Sequence, residues 1–279
     1  MVSLVAIHAL TMPASGDSAV GGCQEMIGQA RSAYYNPRRE GFGGFKASIR
    51  PNWKLILGHT STRQNLKVFR SIRFSMDLDA NGGVTVKHEM AASEEARVEA
   101  YVKEIHENVQ RLVSGFFGIW TVFMITSPFP ENGSPLRVDN QAKECRLFFT
   151  TETADVVLAM TNDLLITELK LSSPRSSRTI KPVFQKTSEG LLLKGYRSLF
   201  EPVAEGVKTE LEATIEYQAV DGMKLPHKLE IRGLLGTEPI AAELRFDQYV
   251  LNPRVTRPVV ELRYSPSARK SFAALCQPL

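Results

Sequence analysis

Along the carboxyl-terminal part of the chain, apolar and polar residues alternate one by one. Leu211, Ala213, Ile215, Tyr217 and Ala219 are interleaved with Glu210, Glu212, Thr214, Glu216 and Gln218. Side chains on a strand point to opposite faces with period two, so this segment predicts a half-buried strand with one apolar and one wet face. Asp221-Gly222 follows and suits the positive φ angles of a tight hairpin. The alternation then resumes, with Met223, Leu225, Leu229 and Ile231 set against Lys224, Lys228, Glu230 and Arg232. Pro226 has no N–H to donate, which predicts a place near the strand's start or at an unpaired edge. A third ribbon sets Ile240, Ala242, Leu244, Phe246 and Val250 against Glu243, Arg245 and Asp247. Three such ribbons in succession describe an antiparallel sheet covered on one face.

The same pattern extends upstream. Segments 143–150, 154–160, 164–171, 179–186, 190–200, 209–219, 223–234 and 239–251 read as consecutive strands, with Asn162-Asp163 and Glu189-Gly190 as hairpin links. Earlier, 17–35 reads as an opening helix with Asp17 or Ser18 as cap, ending before Pro37. A glycine-punctuated turn leads to a strand at 45–49, with 55–57 as its continuation. Residues 61–78 read as a second helix and 84–88 as a short strand. Ser93, followed by Glu94 and Glu95, caps the strongest helix of the chain. Its stripe of Val98, Tyr101, Val102, Ile105, Val109, Leu112, Val113 and Phe116 recurs at helical spacing and then widens to the whole cylinder in "FFGIWTVFMI". Helices early and strands late predict an α+β fold, and the tail after Asn252 reads as a short outer strand and helix.

The uncharged run from Leu112 to Pro130 approaches the length of a membrane span. Ser114, Gly115, Gly118 and Thr121, with the terminal prolines, favour instead a helix that lies across the apolar face of the sheet. At 279 residues the chain is ample for a substantial core, and 34 basic against 30 acidic residues give a net charge of +4, too even for a nucleic-acid partner. Residues 1–20 are apolar, then small and polar, and read as the remnant of an export signal or a disordered leader. Cys23 follows small residues, as at a lipoprotein processing site, but Asp17 is out of place for that pattern. Cys145 and Cys276 can pair in an oxidising compartment, although buried free thiols are the first expectation.

Catalytic motifs fail one by one. His106-Glu107-Asn108-Val109-Gln110 approaches a zinc-peptidase spacing, but Gln110 stands where the second ligand is needed. His88 has no partner at ligand spacing, and His8, His59 and His227 read as dispersed surface residues. Phosphate loops and nucleophile elbows are missing from the sequence, and Gly41-Phe42-Gly43-Gly44 lacks the context of a dinucleotide site. Glu212, Glu216, Glu230 and Glu243 are placed to pair with Lys224, Lys228, Arg232 and Arg245 on a wet face. The expectation is a protein without enzymatic activity, metal or cofactor.

"EYQAVDGMKLPHKLEI" and then "AAELRFDQYVLN", with Tyr217, Val220-Asp221-Gly222, Leu225-Pro226, Asp247-x-Tyr249 and Asn252, resemble the closing strands of the bacterial lipoprotein-carrier (LolA/LolB-like) superfamily. The resemblance is clearest over 209–252. It implies a curved antiparallel β half-barrel with helices covering the concave face, spanning 21–279 as one domain with a helical insertion at about 59–130. It also implies a monomeric protein of the periplasm or outer membrane that binds a lipid or lipoprotein acyl chain. The expected cavity lining is Phe116, Phe117, Trp120 and Phe123 from the helix, facing Leu211, Ile215, Tyr217, Leu225, Leu229, Ile231, Leu244 and Phe246 from the sheet. The family's gating arginine has no placeable counterpart. If the insertion fills the cavity, the alternative is a structural or regulatory envelope module that docks a protein partner.

Overall fold

Ten strands read in the sequence are joined by two that were not, making twelve. The computed structural model describes residues 17–58, 62–90, 92–130, 134, 136–141 and 143–253, with side chains left out at 17–24, 64, 65 and 92–101. The expectations for the leader before Asp17, the Cys23 side chain, His8, His59 and the tail after Pro253 lie outside the described residues, as do those for the Ser93, Glu94 and Glu95 side chains.

The chain opens with α1 (Asp17–Ala33), a 3-10 turn (Pro37–Glu40), β1 (Gly44–Pro51), α2 (Trp53–Leu57), α3 (Arg63–Ser71), β2 (Arg73–Asp79) and β3 (Val84–Glu89). Next comes the long helix α4 (Ala92–Thr121), which runs on as one π turn (Val122–Thr126). The remainder is β4 (Arg137–Gln141), β5 (Glu144–Thr150), β6 (Asp155–Thr161), β7 (Ile166–Ser172), β8 (Ser176–Thr187), β9 (Gly190–Pro202), β10 (Thr209–Val220), β11 (Met223–Leu235) and β12 (Glu238–Leu251).

All twelve strands form one antiparallel sheet in the order β3-β2-β1-β12-β11-β10-β9-β8-β7-β6-β5-β4. The sheet is not closed, and β3 and β4 are its two margins. β10 shows why the pattern was readable: Leu211, Ala213 and Ile215 are buried while Glu210, Glu212, Thr214 and Glu216 are exposed. Asp221 and Gly222 take φ of 48° and 86° in the hairpin, the backbone that this dipeptide tolerates best. The wet face carries ion pairs, some between strands and some along one strand. Lys228 lies 3.3 Å from Glu216 and 2.5 Å from Glu230, whereas Glu212 pairs with Arg197 at 3.7 Å and Lys224 with Glu189.

Three expectations are corrected. The predicted helix 61–78 stops at Ser71. From Arg73 on, Phe74, Met76 and Leu78 are buried with more exposed residues between them, so a period of two displaces the helical one and β2 forms. Residues 55–57 do not continue β1: Asn52 caps Leu55 N through its side chain and starts the single-turn helix α2. β4, with its polar sequence RVDNQ, lay in no predicted strand. Pro226 is the fourth residue of β11, near the strand's start as expected, on a strand paired on both sides. It faces Tyr217 where the register slips between Glu216 and Tyr217, a bulge that tolerates the missing donor.

The end of α1 is fastened to the sheet by two tyrosines. The Tyr34 hydroxyl donates to Leu164 O and accepts from Ile166 N, both at 2.8 Å. The Tyr35 hydroxyl accepts from Lys224 N at 2.7 Å, and Tyr35 N donates to Leu191 O at 3.0 Å. Arg39 donates to the carbonyls of Ser32 and Arg31, which the helix end leaves without intrahelical donors.

Candidate functional site

Eleven of the twelve expected lining residues are buried and Tyr217 is half-buried. Strand register places Ile215, Leu229 and Leu244 in one row across β10, β11 and β12. Against this wall stands the apolar end of α4. Phe116 and Phe117 approach Phe246 with ring centroids at 6.1 and 5.4 Å, and Phe117 meets Phe45 of β1 edge-on at 5.8 Å. Trp120 lies 6.4 Å from Phe42, and Phe123 in the π turn lies 5.8 Å from Phe184 of β8. Edge-to-face aromatic pairs at these separations add to burial alone.

The polar atoms among these rings are mostly matched. Trp120 Nε1 donates to the Tyr217 hydroxyl at 3.2 Å, which in turn donates to Leu193 O at 2.7 Å. Burial raises the Tyr217 pKa far above the ordinary tyrosine value, so the hydroxyl keeps its proton. Leu193 N reaches Met124 Sδ at 3.5 Å. Thr121 Oγ1 is buried with no hydrogen-bond partner among the described residues, and the Thr121 side chain packs on Gly82 in the β2–β3 turn.

The amino-terminal half of α4 is seated differently. Val102, Ile105, Val109 and Val113 are buried, as the stripe predicted, and Gln110 reaches the margin of the sheet, where Oε1 accepts from Val86 N at 2.8 Å. A side chain of α4 thereby occupies a donor that the unpaired side of β3 would otherwise offer to another chain. The stretch Val102–Thr126 is apolar and long enough to cross a membrane, yet 67% of its apolar window is buried inside the protein.

Two features went unnoticed in the sequence. His88 and His106, far apart in the chain, meet with Nδ1 atoms 3.1 Å apart; only the alternation that reveals β3 could have put His88 on the helix side. Arg178 is buried on β8, its guanidinium carbon 5.3 Å from the Phe200 ring, with Ser176, Ser198 and Thr209 also buried at that end of the sheet. The polar run "SSPRSSRT" gave no hint of burial. Cys145 is disulfide-bonded, which corrects the free-thiol expectation; its partner, Cys23 or Cys276, has no described side chain. His227 is likewise half-buried, with Nδ1 3.2 Å from Phe246 O, and not a surface residue.

Among the described residues no three His, Cys, Asp or Glu side chains gather as metal ligands. A cavity of about 240 Å³ lies between the Gly41–Gly44 turn, the Asp221 hairpin and the end of β12, and none of the twelve expected lining residues borders it. A scan against protein-family models finds no match. Searches of curated proteins and of solved structures find no significant match either.

Proposed function

We propose that the chain is a non-enzymatic binder of lipid or lipoprotein acyl chains in the bacterial cell envelope, built on a curved half-barrel with its own helix seated in the binding face. The observation that carries this reading is how the apolar wall is covered. Its cover includes one helix held by side-chain contacts: the described hydrogen bonds between α4 or its π turn and the sheet all use a side chain on at least one partner. Such a cover can leave without breaking a strand pair. A guest hydrocarbon gains ~0.8 kcal/mol per CH₂ buried, so ten methylenes supply about 8 kcal/mol towards replacing the aromatic contacts of the helix. The disulfide at Cys145 suits an oxidising, extracytoplasmic compartment. The resemblance of 209–252 to lipoprotein carriers supports the same reading.

Extracting the purified protein with organic solvent and analysing the extract by mass spectrometry tests the proposal, together with uptake of a fluorescent fatty acid at neutral pH. A co-purified lipid and saturable uptake are expected. Neither appearing would sink it.

A second reading is favoured by one observation: Phe116, Phe117 and Trp120 are at most 1% exposed. If that packing is permanent, the protein is an envelope interaction module that keeps the scaffold and docks a protein partner on its surface.

A further inference from the structure

The contact between α4 and the margin strand contains a titratable pair. His88 on β3 and His106 on α4 have Nδ1 atoms 3.1 Å apart and ring centroids 4.9 Å apart. His106 is stacked on Phe74 of β2, with 16° between the ring planes and 6.4 Å between centroids. One turn along the helix, Gln110 holds Val86 N and donates to Ser114 Oγ at 2.5 Å. The polar half of α4 is therefore registered on β3 by these two neighbouring contacts.

Two Nδ1 atoms at this separation hold a single hydrogen between them, one ring donating and the other accepting. A second hydrogen between them sets N–H against N–H, and the charge it brings to His106 is disfavoured by burial. We propose that the His88–His106 pair is a proton-sensitive latch, which seats α4 on β3 while one hydrogen is shared and lets the helix go when both facing nitrogens carry one. The consequence for ligand uptake rests on the carrier reading above, whereas the latch is a statement about α4 alone.

Among the described residues, the charges around the pair are few. Glu107 adjoins His106 on α4, where Lys103 and Glu104 in the preceding turn are exposed. On β3, Lys87 and Glu89 flank His88, and β2 sets Phe74, which does not titrate, opposite His88. Burial first, and His88 second, hold the His106 pKa below its ordinary 6.5, with Glu107 opposing. Once the helix leaves, that depression ends, so the released form binds the proton more tightly. Seating is then fully favoured above about pH 6.5 and weakens as pH falls through the lowered value.

Hydrogen exchange read by mass spectrometry on the full chain tests this between pH 7.5 and 5, after correction for intrinsic exchange. Protection over 102–121 is expected to fall by up to about tenfold per pH unit below 6.5, the limit for one linked proton, while protection over 190–235 holds. His106→Gln and His88→Gln are expected to flatten the response. Uptake of a fluorescent phosphatidylcholine, whose headgroup does not titrate in this range, should rise over the same interval in the wild type only. A helix whose protection ignores pH, or Gln variants that keep the response, overturns the latch. Should the variants fail to fold, the helix-against-sheet comparison in the wild type decides alone. If exchange responds but lipid never enters, the latch stands and the carrier reading falls. If lipid enters equally at every pH and exchange does not respond, the carrier reading stands and the latch falls.

Discussion

Trp120 on α4 and Tyr217 on β10 are joined by a hydrogen bond from the indole Nε1 to the phenolic oxygen, 3.2 Å long, deep among aromatic rings. The same hydroxyl donates to Leu193 O at 2.7 Å, so one atom ties the helix to two strands. Tyr217→Phe leaves both the indole N–H and the carbonyl short of a partner. The expected cost is about 1–3 kcal/mol in urea unfolding, the penalty of buried polar groups left unmatched. The Trp120 contribution to fluorescence should shift as well.

Phe117 touches Phe45, Phe116, Trp120 and Phe246. Phe117→Ala is expected to destabilise the fold by about 3–5 kcal/mol, the range for deleting a buried aromatic side chain, read as a lowered denaturant midpoint.

Phe246→Glu and Leu244→Glu place a carboxylate in the wall itself. Under the carrier reading each abolishes uptake of a fluorescent fatty acid. Only a variant that retains a cooperative thermal transition counts as evidence, because an unpaired buried charge can also unfold the sheet.

Gly82 in the β2–β3 turn has φ of 86°, and a Cβ there would lie 2.3 Å from the Thr121 methyl carbon. Gly82→Ala is expected to cost more than the ~1–2 kcal/mol of a left-handed alanine alone. Part of that cost should vanish in the Thr121→Ala background. A double-mutant cycle showing coupling above about 0.5 kcal/mol is the expected result.

With three cysteines and a disulfide at Cys145, mass spectrometry of the non-reduced protein should find one bridge and one free thiol. Cys145→Ser is expected to lower stability by about 2–4 kcal/mol under non-reducing conditions and to make it insensitive to reductant.

The strands from Glu144 onward were legible because one face is wet, so charge and apolarity alternate with each residue, and turn dipeptides such as Asp221-Gly222 mark the ends. The segment around Ile72 was not, since its apolar residues satisfy a helical and a strand period together until neighbouring strands decide. β4 escaped notice because a margin strand with no buried face carries no alternation. The residues that α4 and the sheet bury between them could be named from pattern alone. What sequence could not supply was the partner across each gap: nothing local links His88 to His106, or Trp120 to Tyr217.

β3 and β4 follow one another in strand order, with α4 and its π turn as the described helix between them, yet they lie at opposite margins of the sheet. The helix is therefore a strap that starts on one margin, where Gln110 holds Val86 of β3, and ends over the middle of the sheet, where Trp120 and Phe123 meet β10 and β8. Its thirty residues set a fixed span, and one added turn would lengthen it by ~5.4 Å. Any movement that lifts the strap must also free Val86 N on β3, so the exposure of that margin and the seating of the helix are a single mechanical variable.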